Sequence, residues 1–483
     1  MIEFFSWYKI NNYLTISGYL ESFIIIVEKL FQMYISTVIT KKFFFAILVA
    51  AVLLPFSAAS KPYKDIALYV NSADGQFSKG EEIVFSGVAL KDIDVPLVMK
   101  VYENGIESET HPVTLSRDSS VIWRCSYDEC KSVYIEISPT GSKLTNAVGA
   151  IVAPEDFRPV YDEPEDFARY WRKQVAAMRA VKPEVKRTPV SLDADDAERF
   201  DAWALEISMH QGPSVHGYLV IPKNATAKSL PIVIFAHSAG VADVSKRSSL
   251  PQALEFARMG DGAIALDMNA HGMPDNRPQE YYDELEKGAL KGYINRPLTT
   301  REDYYFRLMF LRMERALDYL CTLPEWDRRR VAVRGGSQGG SQAIALAGLD
   351  RRVSMVVAHV PGNIDMGSSL QGRRSVTPNY SSTIKRNPEL AESILPYFDC
   401  ANFLRHTRAT LRFEAGLVDK TCPPECVFAG YNVCRSKDKA IVTFPYRPHT
   451  AGSMAPMYLK IHEATIEAPR IKALDDYLKA GRP

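Results

Sequence analysis

The chain has 483 residues, of which 46% are hydrophobic and 24% are charged, and its formal net charge is +1 at pH 7. This length is too great for one ordinary domain, and the composition is that of a globular protein, so two or three folded units are expected. A net charge near zero, without a basic stripe or an acidic tail, argues against nucleic acid as a partner.

The first 60 residues indicate targeting rather than a folded domain. A lysine pair, Lys41-Lys42, precedes an apolar run over residues 43–54, and the small-residue stretch at 57–60 follows. This order is typical of a secretory signal peptide, and the run is short for a membrane-spanning helix. We therefore predict that residues 1–32 are a doubtful extension, that residues 33–60 are a signal peptide, and that the protein is exported. The mature chain would then have no membrane span; the alternative is an N-terminal membrane anchor.

Residues 61–154 are predicted to form an all-β domain. Short runs rich in Val, Ile, Tyr and Phe are separated by turn signals such as Asn104-Gly105. The predicted strands are 66–70, 83–88, 97–102, 113–115, 121–125, 133–137 and 148–152. About seven short strands in this length are typical of an immunoglobulin-like sandwich. The expected role is packing against the following domain; carbohydrate binding and spacing are the alternatives.

The cysteines and histidines show no metal-binding pattern. Cys125 and Cys130 lie close together, and a disulfide between them is compatible with export. Cys422, Cys426 and Cys434 cluster without histidines at zinc spacing, and core thiols are the plain interpretation. We predict no metal and no cofactor.

Residues 155–483 are predicted to form an α/β domain, because strands and helices alternate after a proline-rich joint at 154–164. The first two strands, 203–207 and 215–221, are expected to form a hairpin. Later strands are largely apolar, as parallel strands covered on both faces are, and lie at 232–235, 264–266, 331–333, 353–358, 410–413 and 440–444. This pattern predicts a doubly wound, mostly parallel sheet with its site at the carboxyl ends of the strands.

Two helices of this domain are marked by apolar periodicity. One begins near Asp166 and places Phe167, Trp171 and Val175 on one face. The other runs from about Thr300, where Thr299 and Glu302 have the spacing of a capping box, and ends before Pro324.

Ser337 stands between a predicted strand and a predicted helix in the sequence Gly335-Gly336-Ser337-Gln338-Gly339. Strand, Gly-x-Ser-x-Gly and helix together are typical of a nucleophile elbow, a turn so tight that flanking side chains would clash. The plain alternative is a Gly/Ser loop that fits the pattern by chance.

An acid and a histidine follow Ser337 in the chain order of an α/β-hydrolase triad. Asp419 comes just after the strand at 410–413, and His449 comes just after the strand at 440–444. His449 would act as the base that activates Ser337, and Asp419 would orient the imidazole. The competing candidates are Asp399, which could cap a helix, Asp438 in a charged run, and His359, which precedes Asp419 and so breaks the order.

The oxyanion of such a reaction needs two N–H donors. Gln338, next to the nucleophile, and Ala239, in the loop after the strand at 232–235, are the predicted donors. His237 and His271 lie on loops at the same edge, where they would either shape the substrate pocket or make structural hydrogen bonds.

From about Asp166 onward the chain resembles the α/β-hydrolase family that includes acetyl xylan esterases and cephalosporin-C deacetylases. The resemblance rests on Gly-Gly-Ser-Gln-Gly-Gly at 335–340, Tyr397-Phe398-Asp399-x-x-Asn402, Gly416-Leu417-x-Asp419-x-x-x-Pro423-Pro424 and Ala429-x-Tyr431-Asn432. It implies that Ser337, Asp419 and His449 form the triad, with Gln338 and Ala239 as oxyanion donors.

Three segments depart from the family pattern. Asn269-Ala270-His271 stands where the family has Arg-Gly-Gln, and His237-Ser238-Ala239 lacks the aromatic residue of the family's oxyanion loop. His449-Thr450 replaces a His-Glu pair. These changes leave hydrolysis as the expected activity and leave room for an acyl group larger than acetyl.

The sequence thus predicts an exported serine esterase that removes acetyl or other short acyl groups from carbohydrate or similar small esters. One alternative is a peptidase or amidase on the same fold. The other is a carbohydrate-binding protein whose hydrolase site has decayed.

Overall fold

The computed structural model describes residues 61–479. The predicted extension at 1–32 and the predicted signal peptide at 33–60 lie outside this range and stay predictions. Among the residues described, no helix has both the length and the apolar character needed to cross a membrane.

The N-terminal unit consists, within residues 61–479, of eight strands in two sheets that share one core. The strands are β1 (Ile66–Val70), β2 (Gln76–Phe77), β3 (Ile83–Ala89), β4 (Leu97–Glu103), β5 (Ile106–Val113), β6 (Ser120–Cys125), β7 (Lys131–Pro139) and β8 (Asn146–Val152). One sheet has the order β1-β3-β6 and the other β2-β8-β7-β4-β5. Alternate residues of both sheets, among them Leu68, Phe85, Val101 and Ile135, are buried between them. The immunoglobulin-like assignment of this sandwich stays a prediction.

The predicted turn at Asn104-Gly105 joins β4 to β5, and both residues have positive φ angles, 48° and 72°. The strand predicted at 113–115 is wrong, because β5 runs from Ile106 to Val113 and ends there. β5 was missed because it is an exposed edge strand with a polar sequence, so it lacks the apolar alternation of a half-buried strand.

The second unit is built on a sheet of nine strands among the described residues. The strands are β9 (Val185–Pro189), β10 (Phe200–Ile207), β11 (Val215–Pro222), β12 (Leu230–Ala236), β13 (Ile264–Met268), β14 (Trp326–Gly336), β15 (Met355–His359), β16 (Thr410–Gly416) and β17 (Lys439–Phe444). Their order is β17-β16-β15-β14-β12-β13-β11-β10-β9. All pairs from β13 to β17 are parallel, and β11, β10 and β9 are antiparallel to their neighbours. The prediction of a mostly parallel sheet is confirmed. The predicted hairpin is confirmed as well, and its strands are β10 and β11 of the same sheet.

Helices cover both faces of this sheet. They are α1 (Phe167–Arg179), α2 (Ala194–Arg199), α3 (Leu250–Ala257), α4 (Gln279–Lys287), α5 (Tyr305–Leu320), α6 (Gln338–Leu349), α7 (Ser381–Arg386), α8 (Pro388–Ile394), α9 (Cys400–Leu404), α10 (Pro424–Val433), α11 (Pro456–His462) and α12 (Ala468–Lys479). On one face, Ile234 of β12 packs in a core with Phe310 of α5 and Ile344 of α6. On the other face, the adjacent residue Val233 packs in a second core with Leu474 of α12. Burial on both faces explains why the central strands are continuous apolar runs.

The predicted capping box at Thr299 and Glu302 is wrong. The helix α5 begins at Tyr305, because Tyr304 has extended backbone angles of −61° and 126°. Thr300 instead closes a turn in front of the helix, where its Oγ1 accepts a hydrogen bond from the N–H of Asp303 at 3.2 Å. The Ser/Thr side chain thus stabilises a local turn rather than a helix end.

The two units are in close contact along the loops that follow β16 and β17. The Tyr458 hydroxyl of α11 accepts from the Leu68 N–H at 2.7 Å and donates to the Leu68 carbonyl at 2.9 Å. The Gly149 N–H of β8 donates to the Pro445 carbonyl at 2.8 Å, and a Cβ at Gly149 would lie 2.4 Å from the Leu417 carbonyl oxygen. The β unit therefore packs against the segments that lead to Asp419 and His449.

Candidate active site

Ser337 occupies a sharp turn between β14 and α6, with φ 53° and ψ −122°. A Cβ at Gly339 would lie 2.0 Å from the Ala236 carbonyl oxygen, and a Cβ at Gly335 would lie 2.4 Å from the Gly339 backbone. Both flanking glycines are therefore required by close backbone approach. A non-glycine residue in such a conformation costs on the order of 1–3 kcal/mol and is held by the structure around it.

The three residues predicted as a triad lie within hydrogen-bonding distance of one another. His449 Nε2 is 2.9 Å from Ser337 Oγ, and His449 Nδ1 is 2.8 Å from Asp419 Oδ2. The other Asp419 oxygen, Oδ1, accepts the N–H groups of Thr421 at 2.7 Å and Cys422 at 2.9 Å. The Asp419 side chain is fully buried, whereas that of His449 is 25% exposed. The acid is thus fixed, while the imidazole can be reached from solvent.

A buried charge cluster supports the loop that carries His449. Arg447 Nε is 3.0 Å from Glu414 Oε1, and its Nη1 donates to the carbonyls of Pro448 and His449. Burial alone would raise the pKa of Glu414, but the hydrogen bond from His462 and the charges of Arg447 and Arg470 hold this pKa well below its ordinary value. This cluster matches no motif, and sequence reasoning missed it.

The two residues predicted to donate N–H groups to the oxyanion lie on segments that are hydrogen-bonded to each other at the elbow. Gln338 is the first residue of α6, and Ala239 lies in the loop after β12, the strand beside β14. Ser238 Oγ donates to the Gly336 carbonyl at 3.3 Å, and Gln342 Nε2 donates to the His237 carbonyl at 3.1 Å. The Ala239 loop is therefore tied both to the elbow and to α6.

His237 and His271, predicted at the pocket, both make structural hydrogen bonds. His237 Nε2 is 2.5 Å from Asp267 Oδ1, and both side chains are buried. His271 Nδ1 is 2.8 Å from the Tyr305 hydroxyl, and its Nε2 is 3.1 Å from the Gly240 carbonyl oxygen. Both rings thus brace the Ala239 loop. Direct contact of either ring with substrate stays a prediction.

Tyr293, which no motif pointed to, joins this region. Its hydroxyl donates to Gln338 Oε1 at 2.8 Å, and its ring lies 4.3 Å from the ring of His271. Burial lowers the pKa of His271 to about 3, with the charge of Arg312 adding to the effect. His271 is therefore neutral at ordinary pH, with Nε2–H donating to Gly240 and Nδ1 accepting from Tyr305.

We expect His271→Gln to lessen the loss of stability on acidification. The unfolded chain binds a proton at this residue near the ordinary pKa of about 6.5, whereas the folded chain resists protonation down to pH 3. Stability present above pH 6.5 is therefore lost as the pH falls, by about 2 kcal/mol between pH 7.5 and 5 for this group. Urea unfolding at pH 7.5 and pH 5 measures this effect. Acidification should lower the free energy of unfolding of the variant by about 2 kcal/mol less than that of the wild type.

The matched control is His111→Gln, since the His111 side chain is exposed on β5 and pairs with exposed Glu109. Because exposed ion pairs are weak, it should change the difference between the two pH values by less than about 1 kcal/mol. A His271→Gln protein that loses as much stability as the wild type on acidification would show that His271 is not buried in its neutral form.

The competing acids have other partners. Asp399 caps α9 by accepting from the Ala401 N–H at 2.9 Å, and burial raises its pKa to about 7. Asp438 is exposed and pairs with Arg412 at 2.8 Å. His359 meets the elbow through its backbone, where its carbonyl accepts from the Ser337 N–H.

One acidic trio in the described part of the chain is compact enough to hold a cation, namely Glu314, Asp318 and Asp350. It lies at the far end of α6 from Ser337. Arg179 lies within 3.1 Å of all three carboxylates, and Arg352 lies 2.6 Å from Asp350. The trio is therefore part of an ion-pair network with these two arginines.

Cys125 and Cys130 are free thiols, so the disulfide considered for them is not formed in the structure.

The family model of acetyl xylan esterase (AXE1) matches residues 153–460. The acetyl esterase Axe7A of Xylanibacter ruminicola is 28% identical over 407 residues, covering 81% of this chain and 89% of the relative. Residues 153–483 make up less than 81% of the chain. The region similar to this relative therefore includes part of the β unit as well.

Two solved structures resemble this chain over part of its length. The acetyl xylan esterase from Paenibacillus sp. R4 is 26% identical with a TM-score of 0.53, covering 65% of this chain and 98% of that one. Acetyl xylan esterase 1 from Thermoanaerobacterium sp. JW/SL YS485 is 24% identical with a TM-score of 0.51, covering 62% and 92% respectively, and shows the same fold.

Proposed function

Because the chain belongs to the acetyl xylan esterase family and is therefore a carboxylic ester hydrolase, we propose that it removes acetyl or other short acyl groups from acylated carbohydrate. Ser337 is the nucleophile, His449 the general base and acid, and Asp419 the residue that orients His449. The names of the relatives support an acetyl ester as the first substrate to test.

The reaction takes two steps that use the same groups in reverse. His449 Nε2 takes the Ser337 hydroxyl proton as Oγ attacks the ester carbonyl, and the N–H groups of Gln338 and Ala239 hold the negative oxygen. When the tetrahedral intermediate collapses, His449 returns the proton to the departing sugar hydroxyl and the acyl group stays on Ser337. Water, activated by the same imidazole, then attacks the acyl-serine and releases the carboxylic acid and free enzyme.

The observation that carries this proposal is the unbroken chain from Ser337 Oγ to His449 at 2.9 Å and from His449 to Asp419 at 2.8 Å. Asp419 accepts from the imidazole Nδ1–H, which leaves Nε2 free to accept the serine proton. Ala239 itself has no aromatic ring that would restrict the acyl group, so short acyl chains beyond acetyl belong to the proposed range.

Pre-steady-state hydrolysis of p-nitrophenyl acetate tests the proposal. We expect a burst of about one equivalent of p-nitrophenol per chain, because this activated ester acylates the serine faster than water hydrolyses the acyl-serine. A serine-directed fluorophosphonate should remove the burst and label the peptide that contains Ser337. Label on another residue, or an unlabelled active protein, would refute the assignment. Comparison of p-nitrophenyl acetate with p-nitroacetanilide separates an esterase from an amidase on this fold.

A further inference from the structure

A cavity of about 300 Å³ lies beside His449, and the β unit forms one of its walls. Glu136 of β7 and Thr145 and Ala147 near the start of β8 line this wall. His449 also lines the cavity, together with other residues of the segments that follow β16 and β17. The volume is at the lower end of the range of about 300–1,000 Å³ found for small-molecule sites.

Charged and polar groups meet at the cavity. Lys420, the residue after Asp419, forms an ion pair across the two units with Glu136, and their side chains are 38% and 15% exposed. The Ser453 Oγ in the same wall is buried, and it has no hydrogen-bond partner among the described residues. A buried hydroxyl without a partner is costly, so this wall keeps an unused hydrogen-bonding group.

Aromatic rings complete the lining. Tyr446, which is half-buried, and Tyr458 stack at 3.9 Å, and both line the cavity. Lys420 Nζ lies 4.6 Å above the ring of Tyr102 on the β unit. Aromatic surface with a few convergent donors and acceptors suits a sugar ring, which presents both apolar C–H faces and hydroxyl groups.

His449 lines the cavity, and this position decides whether the cavity would hold the acyl half or the alcohol half of the substrate. In ester cleavage the departing alcohol takes its proton from His449 and therefore leaves on the side of that imidazole. We propose that this cavity is the subsite for the alcohol half of the substrate, a sugar residue of an acylated oligosaccharide. The β unit thereby takes part in selecting carbohydrate esters, and this inference rests on the proposed function.

The test compares two substrates in one protein. The measured quantity is the ratio of kcat/KM for acetylated xylo-oligosaccharides to kcat/KM for p-nitrophenyl acetate, whose alcohol half is not a sugar. Glu136→Gln removes the charge opposite Lys420, and Thr145→Trp fills part of the cavity. We expect each to lower this ratio at least tenfold, chiefly through a higher KM for the oligosaccharide.

The matched control is Glu109→Gln, which removes the same charge from an exposed position on β5 of the same unit. It should leave the ratio as in the wild type. If Thr145→Trp does not fold, Glu136→Gln alone decides. An unchanged ratio in active, folded Glu136→Gln would overturn the subsite and leave the esterase assignment standing. A wild-type protein that releases acetate from neither substrate would overturn both.

Discussion

Replacing Ser337 with alanine is expected to lower kcat on p-nitrophenyl acetate by at least about 10⁴-fold, because Ser337 Oγ is the atom that carries the acyl intermediate in the proposed reaction. The serine hydroxyl has His449 Nε2 as a hydrogen-bond partner at 2.9 Å, whereas the turn itself is held by close backbone contacts at Gly335 and Gly339. The thermal midpoint should stay within a few degrees of that of the wild type. Steady-state kinetics and a thermal melt measure the two effects separately.

Ser393→Ala is the matched control, since Ser393 is exposed on α8 and its hydroxyl donates to the Leu390 carbonyl. It should hydrolyse p-nitrophenyl acetate at the wild-type rate. A folded Ser337→Ala protein with more than a hundredth of the wild-type kcat would show that the ester is cleaved elsewhere or by another nucleophile.

Features that depend on short stretches of chain could be predicted from the sequence. The elbow is one, because Gly335 and Gly339 are required by contacts within the turn and with the neighbouring strand β12. The central strands are another, since burial on both faces leaves an apolar run in the sequence. The positions of Asp419 and His449 follow from the same reasoning, because the carboxyl ends of parallel strands meet at one edge of the sheet.

Contacts between distant residues that belong to no motif and to no strand end of the sheet could not be predicted. Arg447 and Glu414 are 33 residues apart, and Lys420 and Glu136 are 284 residues apart. Neither pair belongs to a motif, and each is formed only when the fold brings two loops or two units together. The sequence does not decide the roles of His237 and His271 for the same reason, since their partners, Asp267 and Tyr305, lie on other elements.

Asp419→Asn is expected to lower kcat by about 10⁴-fold with little effect on KM. Asp419 Oδ1 accepts two backbone N–H groups, from Thr421 and Cys422, so the amide oxygen of an asparagine would take that position. The amide NH₂ would then face His449 Nδ1 in place of an acceptor. The imidazole would have to accept at Nδ1 and carry its proton on Nε2, where it could not take the proton of Ser337.

A second substitution separates the orienting role of Asp419 from its negative charge. Asp438→Asn removes an equal charge from an exposed position paired with Arg412 and should leave kcat unchanged within about twofold, as is usual for a weak surface ion pair. The fluorophosphonate should label Asp419→Asn more slowly than the wild type in proportion to the fall in kcat, because both reactions need the same activated serine. A folded Asp419→Asn protein with less than a tenfold fall in kcat would mean that His449 keeps its tautomer without Asp419. The triad would then need another acid, or the imidazole would be oriented by the protein backbone alone.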